Sequence, residues 1–227
     1  MSISGPASHS LMEVCATLSF ALALAAALLQ AARLLPQRID AALADAPHPQ
    51  HRRRGQLLVF VSPIFALACL YAFPSIPVAL GATVFVLVLL TLAWIDAETG
   101  LLPDLLTLPL LWLGLLVNIP GAFVPLPDAV IGAVAGYLVL FCVYWAFLLC
   151  AGREGLGQGD LKLMAALGAW SGWMSLPWVL LVSATLGLLV ALVLRARGRL
   201  EPGQALSFGP CLAAAGILVL FAQPGLR

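Results

Sequence analysis

Charge is what this sequence has least of. Of its 227 residues, 11 are Lys or Arg and 10 are Asp or Glu, together 9% of the chain. A soluble globular domain carries roughly 25% charged residues. So few charges could not cover a water-facing surface, which excludes a soluble enzyme and a disordered tail. A nucleic-acid binder is excluded as well, because no basic domain is available to hold phosphates. The net charge of +1 says nothing about partners. Cysteine pairing is also lacking. Cys15, Cys69, Cys142, Cys150 and Cys211 form no CxxC and all lie in apolar runs, so they read as small hydrophobes rather than as a disulfide or zinc framework. Residues 1–10 contain no Lys or Arg, and the apolar run 11–34 is longer than the core of a signal peptide. That run is therefore expected to stay as a membrane span.

What is present is apolar: 63% of the residues are hydrophobic. A spanning helix needs about 20 mostly apolar residues to cross a hydrocarbon core about 30 Å thick. The candidates are 11–34, 56–73, 76–95, 105–118, 129–151, 161–173, 176–196 and 206–222. The fourth and sixth are short by this criterion, which calls for borrowed loop residues or a locally thinned bilayer. Pro and Gly interrupt the apolar runs at 74–77, 120–127 and 175–177, as tight turns do. Lipid offers no partner for a free backbone group, and nothing alternates like a barrel strand, so helices are the expectation. The fold expected is all-α, a polytopic membrane bundle of about eight transmembrane helices. Residues 1–55 would hold the first span and a cytoplasmic loop, and residues 56–227 the functional core.

The few charges are informative by position. Arg33, Arg38, Arg52, Arg53 and Arg54 surround the first loop, Arg153 and Lys162 flank the third on that side, and Arg195, Arg197 and Arg199 follow the seventh span. With eight spans all of these fall on one face, and Arg227 alone falls opposite. The positive-inside rule makes the crowded face cytoplasmic and both termini external. The loop 36–55 reads as a solvated linker with a polybasic end attracted to anionic lipid. His48 and His51 lie in it three residues apart, a weak pattern for a metal, and no metal is expected.

Two segments on that face carry chemistry: Trp94-Ile95-Asp96-Ala97-Glu98-Thr99-Gly100 with Leu101-Leu102-Pro103-Asp104, and Gly157-Gln158-Gly159-Asp160-Leu161-Lys162. Asp96 ends the third span and Asp160 opens the sixth, so the two can share a depth. A carboxylate at the edge of hydrocarbon is costly unless paired or solvated in a cavity. Two that share a site cannot both ionise easily. The result is one carboxylate and one carboxylic acid, able to activate a water and to protonate a leaving amine. Taken singly, each has a plainer reading: Asp96 as an interfacial charge, Asp160 as a helix N-cap, Gly157 and Gly159 as turn residues. Asp104 reads as an N-cap of the fourth span or a supporting acid, and Lys162 as an interfacial anchor or a charge that biases the pair. Glu98 reads as solvated. Ser207 to Pro210 reads as a helix start or as a shaper of substrate entry. Gly132/Gly136 and Gly168/Gly172 are GxxxG pairs that let helices pack closely.

These residues resemble the type IV prepilin peptidases, GxGD-type intramembrane aspartyl proteases. The likeness runs through Ile95-Asp96, Leu101 to Leu110, Gly157 to Leu163, Ala165 to Trp170 and Ser207-Phe208-Gly209-Pro210, covering most of residues 56–222 in the family's order. The resemblance implies Asp96 and Asp160 as the catalytic pair, with Gly157, Gly159, Asp104 and Lys162 in support. It implies cleavage of the short basic leader of prepilins or type II secretion pseudopilins, in the bacterial inner membrane at its cytoplasmic face. Water is the nucleophile, so no cofactor is implied for cleavage. Many members carry two CxxC pairs in the first cytoplasmic loop and methylate the new N-terminus with S-adenosylmethionine. Here residues 36–55 contain no cysteine, so the resemblance is to a short form, and S-adenosylmethionine is implied only if methyl transfer is retained. Two further readings belong to other classes: a proton-coupled transporter, for which no internal repeat is evident, and a non-catalytic assembly factor of a pilus or secretion machine.

Overall fold

In the computed structural model, which describes residues 10–39, 49–73, 75–152, 157–198 and 207–222, every regular element is helical. The order is α1 (Leu11–Ile39), α2 (Pro49–Ala72), α3 (Ile76–Thr99), α4 (Asp104–Val117), α5 (Leu126–Ala151), α6 (Gln158–Ser171), a short 3-10 turn (Trp173–Ser175), α7 (Leu176–Ala196) and α8 (Gly209–Ala222). Among the described residues, four segments are long and apolar enough to cross a membrane: Leu11–Ala32, Ile76–Thr99, Leu126–Cys150 and Trp173–Ala196. Leu58–Ala72, Asp104–Val117 and Gly209–Ala222 are apolar but shorter. The chain is thus a multi-pass membrane protein of roughly eight helices. The linker expected over residues 36–55 is narrower than that, since α1 runs on to Ile39 and α2 already begins at Pro49. His48 and the side chains of Arg33, Arg38, His51, Arg52, Arg53, Arg54, Arg153 and Arg199 lie outside the described residues.

The chain divides into two compact units, one built on α1, α2 and most of α3, the other Leu92–Ala222. In the first, α1 and α2 pack as a pair. Ala21, Ala25, Leu28, Leu29 and Ala32 make a buried stripe at helical spacing on α1, and Leu58, Ala66, Cys69 and Leu70 do so on α2.

In the second unit α6 is the central helix, contacted by α4, α5 and α8. All of it is buried except Gln158, Gly159 and Lys162 near its start. A helix apolar on every side belongs inside protein, and protein on several sides frees α6 from matching the lipid thickness. Its 14 residues span about 21 Å against a hydrocarbon core of about 30 Å. The α5–α6 contact rests on small residues. Ala129, Gly132, Gly136 and Leu140 form the buried stripe of α5, while Val130, Ile131, Val134, Leu138, Phe141 and Trp145 point outward. An exposed face this apolar faces lipid. A Cβ on Gly168 would overlap the Gly132 carbonyl, and one on Gly136 would stand 2.6 Å from the Met164 carbonyl oxygen. Only backbone-to-backbone packing fits that space.

The far end of α6 is tied by hydrogen bonds to buried backbone. The Asn118 side-chain amide donates to the carbonyls of Ala169 (2.9 Å) and Trp170 (3.4 Å), and its oxygen accepts from the Phe123 and Val124 N–H groups at 2.9 and 3.1 Å. The Trp170 indole N–H donates to the Leu110 carbonyl at 2.8 Å. Its ring occupies the space beside Gly114, where a Cβ would stand 2.5 Å from the indole. α6 is thereby held against both α4 and the loop after it, which sets the height of its opposite end.

Candidate active site

That opposite end carries Asp160. The backbone enters α6 through Gly157 in an extended conformation, and Asp160 stands in the first turn of the helix. It is not an N-cap. The Gly157 N–H donates to Asp160 Oδ2 at 3.1 Å, so the carboxylate reaches back over its own helix start, where the macrodipole favours negative charge. Its other oxygen, Oδ1, is buried and has no hydrogen-bond partner among the described residues. A buried acceptor without a donor costs about 1–3 kcal/mol, and such groups persist at sites that a water or a ligand completes.

Asp96 is placed from the other direction, three residues before the end of α3. Negative charge is unfavourable at a helix C-terminus, and here a second helix supplies the compensation. Gly209 is the first residue of α8, and its N–H, which has no partner within its own helix, donates to Asp96 Oδ2 at 2.9 Å. The Ser207 hydroxyl bonds the same oxygen, and it also lies 3.0 Å from the Asp96 backbone carbonyl oxygen. A Cβ on Gly209 would stand 2.5 Å from Asp96 Oδ2, so the close approach of the α8 backbone requires glycine.

Asp96 and Asp160 are each 5% exposed. They face one another closely enough to interact as charges, and Cys211, on the first turn of α8, lies in the field of both. Among the described residues neither carboxylate forms an ion pair. Two buried carboxyls that lie within reach of each other, with no cation between them, form an acid pair. Each is oriented through Oδ2 by one helix-start N–H, and among the described residues neither Oδ1 takes a hydrogen bond. Such a pair can take a proton from water and return one to a leaving group. No group of His, Cys, Asp and Glu that could hold a metal is found among the described residues.

The other expected residues fall as follows. Asp104 is not the N-cap of α4. Pro103 takes that position with no side-chain cap bond, and Lys162 Nζ donates to both carboxylate oxygens of Asp104 at 2.7 and 2.6 Å. This pair, which is not evident from sequence, spans 58 residues and joins the start of α4 to the start of α6. Lys162 is therefore engaged with Asp104 rather than extended alone toward the interface. Gly159 does not offer open backbone, because a Cβ there would stand 2.6 Å from Leu102 Cβ. Leu102 covers it instead. Glu98 is not fully solvated, since its Oε2 is buried. The bonds from Ser207 and Gly209 to Asp96 are the part that reading the residues missed. The only available signal was a Ser and a Gly beside a Pro at an apolar helix start, and such a segment says nothing about an acid more than a hundred residues earlier.

Comparison with known proteins bears on this geometry. Residues 83–192 match the type IV leader peptidase family. The chain is 51% identical over 168 residues to a prepilin leader peptidase/N-methyltransferase of Burkholderia pseudomallei (strain 1026b), covering 74% of this chain and 54% of that protein. It is 52% identical over 156 residues to the protein of the same description from Dickeya chrysanthemi, covering 69% and 55%. For the Pseudomonas putida protein, also of that description, the figures are 50% over 161 residues, covering 68% and 56%. The chain thus spans about half the length of the curated relatives it matches. No solved structure matches it.

Proposed function

The chain belongs to the type IV leader peptidase family through residues 83–192, and on that premise we propose that it is a membrane-embedded aspartic endopeptidase acting on prepilins or pseudopilins. The observation that carries the reading is the arrangement of Asp96 and Asp160. They are two buried carboxyls brought together from α3 and α6, each held by helix-start N–H groups, and Asp160 Oδ1 is free to take a hydrogen bond from water or peptide.

The chemistry follows from one proton shared by the pair. The ionised carboxyl takes a proton from a water as its oxygen attacks the scissile carbonyl, and the protonated carboxyl donates to the carbonyl oxygen. The tetrahedral intermediate then breaks its C–N bond: one of its hydroxyls returns a proton to the pair as the C=O re-forms, and the nitrogen leaves with the proton the pair took from water. One water is consumed, two peptides are released, and the pair returns to its starting protonation. No metal or organic cofactor enters these steps. In this reading the substrate's hydrophobic helix lies in the bilayer beside the bundle, and its leader meets the site at the cytoplasmic face of the bacterial inner membrane. Both termini of the enzyme are then periplasmic. The carboxylates of residues 96–104 would draw a basic leader toward that face.

N-methylation belongs to the names of the relatives, which are about twice as long as the matched portion. Here it is open to a direct measurement: the mass of a processed product's N-terminus, with and without S-adenosylmethionine. For cleavage, membranes containing this chain and a prepilin should lose leader removal on Asp96→Asn or Asp160→Asn. The rate should fall by at least about 10³-fold while the protein still inserts. Normal processing by either variant overturns the mechanism.

A further inference from the structure

The Asp96 side chain is gripped in an unusual way: both acceptors of a single hydroxyl belong to the same residue. Ser207 Oγ bonds Asp96 Oδ2 and lies 3.0 Å from the Asp96 backbone oxygen. A serine hydroxyl has one hydrogen to donate and two lone pairs with which to accept. At any moment it can donate fully to only one of these oxygens. The Asp96 carbonyl already accepts the Gly100 N–H at 2.8 Å, but a carbonyl oxygen has room for a second donor. The other group on Oδ2, the Gly209 N–H at 2.9 Å, is fixed backbone and can only donate.

We propose that Ser207 is a positioning residue that keeps Asp96 in one place through both of its protonation states. When Asp96 is a carboxylate, the hydroxyl donates its hydrogen to Oδ2. When Oδ2 carries a proton during turnover, that O–H donates to Ser207 Oγ, and the hydroxyl turns its own hydrogen to the Asp96 backbone oxygen. No bond other than a hydrogen bond changes, and no heavy atom needs to move. The Asp96 carboxyl therefore does not swing as it gains and loses its proton, and the reacting water meets it in the same position in each half of the cycle. Asp160 has no equivalent: its Oδ2 takes one backbone N–H and its Oδ1 is left for substrate and water. The asymmetry makes Asp96 the more firmly held member of the pair, while each carboxyl keeps its Oδ1 outside these bonds. This inference rests on the peptidase reading above.

The test uses the full chain in proteoliposomes with a purified prepilin, and compares Ser207→Ala, Ser207→Thr and Asp96→Asn. A hydrogen bond to a charged group is lost in Ser207→Ala, so kcat should fall about 10- to 100-fold. KM should stay within about threefold, because the group lost acts in turnover and not in binding. Ser207→Thr keeps the hydroxyl and should restore kcat to within about threefold of the parent. If Ser207→Ala fails to accumulate, Ser207→Cys serves instead; its weak donor should give an intermediate kcat. A parental kcat in Ser207→Ala or Ser207→Cys, or failure of Ser207→Thr to restore it, overturns the positioning role. If Asp96→Asn is inactive in the same preparation, the peptidase reading survives that failure. If Asp96→Asn processes normally, both fall together.

Discussion

Gly209→Ala separates the site from the fold more sharply than any other single change. The added methyl would stand 2.5 Å from Asp96 Oδ2, 2.8 Å from its Cγ and 3.2 Å from its Cβ. Ordinary carbon–oxygen contact is about 3.3 Å, so the carboxylate must retreat by about 0.8 Å. The Gly209 N–H bond, now 2.9 Å, would stretch past the roughly 3.5 Å at which a hydrogen bond ceases to count. A displacement of about 1 Å in a catalytic group costs on the order of 10²-fold in rate. Stability should change much less. The lost bond to a carboxylate costs about 1.5–3 kcal/mol, while alanine in place of glycine at a helix start contributes about 0.5–1 kcal/mol in the other direction. The net, about 1–2 kcal/mol, leaves an inserted and folded protein. The assay is leader removal in proteoliposomes, alongside the thermal midpoint of the purified protein in detergent. Cleavage within about threefold of the parent would refute the reasoning, since it would mean that the α8 backbone does not confine Asp96. A loss of stability above about 4 kcal/mol would refute it as well, because the contact would then be holding the bundle rather than the carboxylate.

Gly168→Ala tests the α5–α6 seam, where the new Cβ would overlap the Gly132 carbonyl. Overpacking against backbone costs about 3 kcal/mol, so the thermal midpoint in detergent should fall clearly, and an unchanged midpoint would show that the two helices are not in backbone contact. The Lys162–Asp104 pair should contribute little, since its side chains are 33% and 53% exposed. A double-mutant cycle of Asp104→Asn and Lys162→Met on stability should return a coupling of about 1 kcal/mol or less, and a coupling several times larger would mean that the pair is shielded in the membrane.

Membrane character and helical class were legible in the residues, and Asp96 and Asp160 stood out among them as candidates. The physical reason in each case is local. Scarcity of charge is decided residue by residue, spans of about 20 apolar residues follow from bilayer thickness, and Asp96 and Asp160 stand out because an acid beside an apolar helix is costly wherever the helix goes. The GxxxG spacing likewise marked Gly132, Gly136 and Gly168 as close-packing positions, because small residues one turn apart share a face whatever the partner.

Other features depended on which helix ends meet. Asp104 looked like a cap because it precedes an apolar run, but its carboxylate is bonded by Lys162 instead, and the pairing crosses 58 residues. Gly159 read as a turn residue, but it is also a packing position, with Leu102 filling the space beside it. Glu98 looked solvated, but one of its oxygens is buried. Above all, nothing local to Ser207 or Gly209 points to Asp96. The sequence by itself determined that this is a helical membrane protein with two acids at helix ends. Only the tertiary structure decided how those acids are held, because an unpaired N–H at the start of α8 can compensate a carboxylate at the end of α3 only once packing has brought the two termini together.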